Sequence, residues 1–260
     1  RFAFVEEHRS RIPVDRLCHI LGVTSRGYRA WRGRPVSRRQ RDDMVLLAHI
    51  REQHHLSLGS YGRPRMTQEL KVAGLAVGHR RVGRLKRDNG IRVFRTRKYR
   101  VTTDSNHHFN IAPNWLDRDF HADRPNQKWA GDISYIWTRE GWLYLAVIID
   151  LHSRRVVGWA SSCRLKKNLA LEALNRAVAL RNPPPGCLHH SDRGSQYWDN
   201  AIAETFFKTL KAELIWRSTW QTRDQVTAAL FQYINGFYNS RRRHSAIGGM
   251  APIKFEQNTS

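Results

Sequence analysis

The sequence predicts an α/β protein: a mixed sheet covered by helices, preceded by small all-α helix-turn-helix modules. Three observations point there. From residue 128 the runs KWAGDISYIW, WLYLAVIIDLHS and RRVVGWAS are short and rich in β-branched and aromatic residues, and CLHHS supplies a fourth. Helical runs follow: one from about Lys166 to Leu180, then TFFKTLKAELIW, then one from about Arg223 to Tyr238. Before residue 100 the apolar residues instead recur at helical spacing within Arg-rich segments. Strands first and helices covering them define an α/β layer.

The elements follow in order. In VDRLCHILGVTSRGYRAWR, residues 14–32, Leu17, Ile20 and Leu21 share a helical face, and Gly22 with the Thr24-Ser25 pair marks a turn and a capped second helix. Met44 to His54, YGRPRMTQELKVAG and VGHRRVGRLKRDNGI give a second, longer helix-turn-helix outline, its last helix ended by Asn89-Gly90. On that last helix Val82 and Leu85 face the core, leaving Arg80, Arg81, Arg84, Lys86 and Arg87 for phosphate or groove contact, because acidic partners for these charges are nearly absent. Arg139-Glu140-Gly141 and Ser153-Arg154 separate three consecutive antiparallel strands, and Leu169, Ala173 and Ala177 line one side of the helix that the prolines 183–185 end. The expected organisation is a helix-turn-helix over 1–40, a second DNA-binding module over 41–100, a basic and polar linker over 101–125, a catalytic core over 126–240 and a basic tail over 241–260.

Charge narrows the partners. The chain carries 45 Lys and Arg against 22 Asp and Glu, a formal charge of +23. A polyanion is the natural partner, nucleic acid ahead of an acidic membrane surface. The ten-residue apolar run from Trp142 is too short to cross a bilayer. The expectation is a cytoplasmic, nucleoid-associated protein with no membrane partner and no small-molecule substrate. Cys18, Cys163 and Cys187 lack zinc-ligand spacing and read as reduced thiols.

The stretch HHSDRGSQYWDNAIAETFFKTLKAE, residues 189–213, concentrates acids, amides and lysines. Asp132 sits inside the first strand, where burying a charge needs a cation. Asp192 stands at the end of the fourth strand, and Glu204 in the first turn of the next helix. If the first and fourth strands are neighbours, the three acids converge on a site of oxygen ligands suited to two Mg ions, with Mn able to substitute, which is the arrangement of two-metal phosphodiester chemistry. Glu204, Lys208 and Lys211 lie at i, i+4 and i+7 on one helix face, so two cations follow the acid and fit the substrate phosphates. Asp150 reads as a turn-ordering residue at the start of His152-Ser153, Asp199 and Asn200 as helix caps, and His189 and His190 as packed or hydrogen-bonded rings. Arg241, Arg242 and Arg243 are expected to contact the terminal DNA or a neighbouring subunit.

WAGDISYI, GWLYLAVIIDLHSRRVVGW, HSDRGSQY, DNAIAETFFKTLKAE and FYNSRRRHSAIGGMAP resemble the D-D-E transposases of bacterial insertion sequences whose enzyme is made by frameshifting between two overlapping frames. The similarity is to the second-frame, catalytic product and extends over essentially all of residues 1–260, including YGRPRM and HRRVGRL. It implies a ribonuclease-H-like core of the retroviral-integrase superfamily with a five-stranded sheet, and Asp132, Asp192 and Glu204 as the metal-binding triad. It also implies binding to terminal inverted repeats as a dimer or larger assembly, hydrolysis exposing a 3′ hydroxyl, and attack of that hydroxyl on another phosphodiester without a covalent enzyme intermediate. The first transfer in this family joins one element end to the other.

One feature departs from the pattern. The family leaves about 35 residues between the second Asp and the Glu, whereas eleven separate Asp192 from Glu204. About 24 residues, including the fifth strand, are missing between Tyr197 and Trp198. The favoured expectation is a loop left out of the sequence, since both flanks keep their motifs. The rival is a true deletion that displaces Glu204 and leaves a DNA-binding repressor or decayed transposase. A ribonuclease-H-like nuclease is the third reading.

Overall fold

The computed structural model describes residues 1–93, 120–191 and 201–259. The chain forms two compact units, Arg1–His49 and Ile50–Ser260.

In the first unit, α1 (Phe2–His8), α2 (Val14–Ile20) and α3 (Ser25–Arg32) surround a small core of Val5, Leu17, Cys18 and Tyr28. The turn between α2 and α3 is the expected one. Gly22 takes φ +61°, in the left-handed region that glycine tolerates, and the Thr24 side chain accepts the Gly27 N–H at 3.0 Å. Ile20 departs from expectation: it is 67% exposed, and Cys18 takes the buried place beside Leu17. Helix α1 was not expected from the sequence. It is tied down by Val5 in the core and by a hydrogen bond from the Tyr28 hydroxyl to the Glu6 carboxylate.

Helix α4 (Arg38–Leu56) runs across the division between the units, and α5 (Arg63–Val72) and α6 (His79–Asp88) follow it. Met66 and Leu70 of α5 and Val82 and Leu85 of α6 are buried. Asn89 closes α6 and Gly90 follows at φ +66°, as Asn89-Gly90 suggested.

The sheet holds β1 (Lys128–Thr138), β2 (Gly141–Asp150), β3 (Val156–Ser162) and β4 (Leu188–Ser191) in the order β3-β2-β1-β4. The first three strands form the expected antiparallel meander, and β4 pairs parallel to β1, so the first and fourth strands are neighbours. Four strands are present among the described residues. Helix α7 (Lys167–Arg181) lays Leu169, Ala173 and Ala177 against Trp129, Ala146, Ile148, Val157 and Ala160. It approaches β3 so closely that a Cβ at Gly158 would overlap the Ala173 carbonyl and stand 2.7 Å from the Ala177 Cβ.

Helix α8 (Ala201–Glu213) packs across β1 and buries Phe206, Phe207 and Leu210. Helix α9 (Arg223–Phe231) continues into a π-helical segment, Gln232–Tyr238, and α10 (Pro252–Thr259) ends the described chain. Glu256 of α10 accepts from Ser153 Oγ at 2.7 Å, from Arg155 at 2.7 Å and from Arg181 at 2.9 and 3.0 Å. Burial alone would raise the Glu256 pKa, but these donors hold it below the usual carboxylate range. Helix α10 is thus folded onto the β2–β3 turn and α7. No described helix is long and apolar enough to cross a membrane.

Candidate active site and nucleic-acid interface

Asp132 lies in the middle of β1, half-buried, and its Oδ1 accepts the Ile133 N–H at 2.7 Å. The parallel ladder between β1 and β4 ends on the pair Gly131 and Ser191, which directly precede Asp132 and Asp192 in the sequence. Asp192 itself lies outside the described residues, as do Asp199 and Asn200. Glu204 sits in the first turn of α8, exposed, and Lys208 one turn later is exposed as well.

Lys211 closes this helix face from the other end. Its Nζ lies 5.1 Å from the centroid of the Tyr135 ring. Burial pushes its pKa below the usual lysine range, and the charge of Asp132 works against that push. Lys211 is thus a cation within electrostatic reach of Asp132. Asp132 and Glu204 are oxygen donors of the kind that hold Mg or Mn. No group of three His, Cys, Asp or Glu poised for a metal is present among the described residues.

Asp150 has the turn-ordering place expected for it. It is fully buried and accepts from the backbone N–H of Asn126, His152 and Ser153 at 2.7, 2.9 and 3.1 Å. His189 occupies space that glycine leaves on β1: a Cβ at Gly131 would stand 2.6 Å from its Nε2. All three cysteines are free thiols.

The arginines and lysines expected to meet DNA divide into two groups. On α6, Arg80 and Arg87 are exposed, while Arg81 and Arg84 are half-buried, with Arg84 3.7 Å from Asp88. Lys86 must be corrected: it is 6% exposed, and its Nζ donates to the Tyr61 carbonyl at 2.7 Å. The reason is helical geometry, since positions 82, 85 and 86 stand at i, i+3 and i+4 and share one face.

In the C-terminal cluster Arg241 is exposed, but Arg242 and Arg243 are also corrections. Arg242 is buried and donates to both oxygens of Glu213 at 2.9 and 2.8 Å, with the Tyr233 hydroxyl completing that carboxylate's partners at 2.7 Å. Arg243 pairs with Glu69 of α5 and donates to the Gly249 carbonyl at 2.9 Å. Both guanidinium groups are committed to the fold. Beside them His244 is buried and pushed down to about pKa 3, by desolvation first and then by the Arg242 and Arg65 charges.

Two features escaped the sequence reading. A basic cavity of about 640 Å³ opens where α5 meets the C-terminal segment, with Arg65, Gln68, Lys71, His79 and Arg243 on its walls. Its residues come from segments about 170 positions apart, so no local pattern announces it. The second is a group of exposed aromatic rings at the β1–β2 hairpin: Tyr135, Trp137 and Trp142. The signal for it was present in alternation, because Tyr135 and Trp137 lie two apart on one strand face.

Residues 122–233 match the Integrase core domain and residues 40–99 match the HTH-like domain. The chain is 37% identical to the transposase InsF of insertion sequence IS3A from Escherichia coli K12, with 98% of each chain covered. It is 36% identical to an uncharacterized 31 kDa protein of insertion element IS600 from Shigella sonnei, covering 93% of this chain and 97% of that one. The InsF alignment runs over 287 positions, 27 more than this chain has residues. The sequence itself passes directly from Tyr197 to Trp198. With a helix-turn-helix-like segment, an integrase core and transposase relatives matched end to end, the chain belongs to the IS3 family of insertion-sequence DNA transposases, within the retroviral-integrase superfamily.

Proposed function

We propose that this transposase binds the terminal inverted repeats of its element as double-stranded DNA. It then carries out metal-dependent 3′-end cleavage and strand transfer, with Asp132, Asp192 and Glu204 holding the metal. The observation that supports this most is the β1–β4 register, whose final pair stands one residue before each of the two aspartates. The eleven-residue spacing between Asp192 and Glu204 does not argue against it. Nine residues join Ser191 to Ala201 and span up to about 30 Å when extended, ample for a link between a strand and a helix that packs across the neighbouring strand.

When bound, a pair of Mg ions, or Mn in their place, would activate the attacking oxygen and offset the charge that develops on the phosphate. The chain's own residues divide the remaining work. Lys211, beside Asp132, and Lys208, one turn along α8, give the scissile strand cationic partners, and this placement needs no acid or base of their own. Exposed Arg80 and Arg87, assisted by Arg81 and Arg84, hold the duplex through its phosphates, and Arg241 extends that contact. Pairing two element ends calls for a dimer or larger assembly.

Incubating the protein with Mg or Mn and a labelled element end tests the reading. Joined products support transposition. Cleavage without joining would favour a nuclease, and neither product would favour a repressor or decayed enzyme.

The DNA-contact assignment has its own test. Replacing Arg80 and Arg87 with Ala should weaken end binding and flatten its log-log salt dependence by about 0.9 for each phosphate no longer neutralised. An unchanged slope would return both side chains to the role of solvated surface charges.

A further inference from the structure

Beyond the acids, the region least explained by folding is the aromatic surface at the end of the β1–β2 hairpin. Tyr135, Trp137 and Trp142 are 58%, 59% and 43% exposed, and Trp216 beside them is 52% exposed. Large rings are ordinarily buried for the apolar area they carry, so four of them uncovered on one surface signal a ligand.

The rings are held rather than loose. Trp137 and Trp142 are cross-strand partners, their ring centroids 4.8 Å apart and tilted at 71°, and Tyr135 meets Trp142 edge-on at 5.1 Å. The hairpin turn is clasped by α9: Arg223 donates from its backbone to the Glu140 carboxylate at 2.9 Å and from its side chain to the Trp142 carbonyl at 3.1 Å. The Trp220 indole is fixed by donating to the Ile215 carbonyl at 3.0 Å.

Together these rings open on a cavity of about 520 Å³ that also has Arg139, Lys211, Ser218 and Thr219 on its walls. Among the described residues no carboxylate lines it. A wall of π-faces, two cations and two hydroxyls without an acid matches a nucleic-acid strand whose bases are unpaired: the bases stack and the phosphates meet the cations. A duplex offers only its edges and backbone to such a surface. Lys211 belongs both to this cavity and to the surroundings of Asp132 and so links the two, while Tyr135 follows Asp132 by three residues on β1, an odd offset that turns their side chains to opposite faces of the strand. That separation is about 10 Å of strand, or about three nucleotides of duplex rise.

We propose that this cavity binds an unpaired DNA strand beside the carboxylate site, stacking bases on Trp137, Trp142 and Tyr135 while Lys211 and Arg139 hold the flanking phosphates. The placement next to the chemistry rests on the proposed role of Asp132; the stacking itself does not. Strand opening at the site of transfer would then be stabilised by the protein.

The test is binding without metal, in chelator, of a thymidine oligonucleotide of about 12 residues and of two element-end duplexes, one fully paired and one with its last three or so nucleotides unpaired. Tryptophan emission and 2-aminopurine fluorescence at the unpaired positions report stacking. The wild-type protein should bind the unpaired end more tightly than the paired one and its emission should be quenched. The Trp137→Ala/Trp142→Ala variant should lose about tenfold or more on the oligonucleotide and on the unpaired end, with paired-duplex binding within about twofold and an unchanged melting midpoint. Trp137→Phe/Trp142→Phe, which keeps the rings, should retain most of the preference.

Unchanged oligonucleotide binding by the alanine variant would overturn the proposal. So would loss of self-association with unpaired-strand binding intact, which would give the face to a second copy of the chain. Asp132→Asn should not alter this metal-free binding. If that variant keeps strand joining while the alanine variant still loses its stacking, the carboxylate assignment fails and the unpaired-strand site stands.

Discussion

Asp132→Asn is expected to reduce cleavage and strand transfer by about a thousandfold or more, equivalent to about 4 kcal/mol of transition-state stabilisation, while end binding stays within a few-fold. The substitution preserves size and shape, so β1 should keep its pairing with β2 and β4. What it removes is a charged oxygen donor where the parallel ladder ends. Binding should barely change because the phosphate contacts proposed for the duplex come from exposed cations on α6 and at Arg241, not from the carboxylate. Full joining activity in the variant would end the assignment of Asp132. Loss of joining accompanied by an equal loss of end binding would instead indicate a damaged fold or a role in binding.

Arg242→Ala is expected to cost about 3–5 kcal/mol of stability, because it strands a buried Glu213 carboxylate whose charge Arg242 now neutralises through two hydrogen bonds. For a chain of this size that corresponds to a drop of roughly 10 °C in the melting midpoint. The Tyr233 hydroxyl cannot compensate, since it donates one hydrogen bond and carries no charge. Replacing both partners with apolar residues, Glu213→Leu with Arg242→Met, should recover much of the stability, because the cost arises from an unpaired charge more than from the pair's own strength. A midpoint within a degree or two of wild type for Arg242→Ala would show that the pair does not hold the fold. If end binding fell while the midpoint stayed put, Arg242 would return to the DNA-contact role that its sequence context suggested.

Those two residues mark where sequence reasoning succeeds and where it does not. Asp132 could be singled out because an acid between Gly131 and Ile133 in a strand is costly without a partner, and that cost is local. Arg242 could not be separated from Arg241 on local grounds. Adjacent arginines in RRRH look alike until the chain folds and one of them meets a carboxylate 29 positions away. Arg243 and Glu69 are 174 positions apart and equally unreadable. Lys86 is a different kind of miss: its position four residues after Val82 put it on the buried face, and the periodicity alone was sufficient to see it. Ile20 reversed the usual inference, since the three-helix core is too small to cover every apolar residue of α2 and uses Cys18 in its place.

The strands and helices themselves were legible. β-Branched and aromatic runs cut by Arg139-Glu140-Gly141, Ser153-Arg154 and the prolines 183–185 leave few alternatives to a meander, a crossover helix and a fourth strand. Helix α1 was missed because its stability comes from Val5 docking under Tyr28, an interaction with no counterpart in a seven-residue window.

By itself the sequence determined the class of fold, the order of its elements and the appetite for a polyanion, because propensity, hydrophobic period and net charge are properties of short segments or of simple sums, while the resemblance of its motifs carried the family. Only the tertiary structure decided which cations remain available to DNA, that β4 lies parallel beside Asp132, and that the hairpin aromatics stay uncovered near Lys211. Each of these depends on which distant groups become neighbours. Burial and pairing energies are set by that neighbourhood and not by residue type.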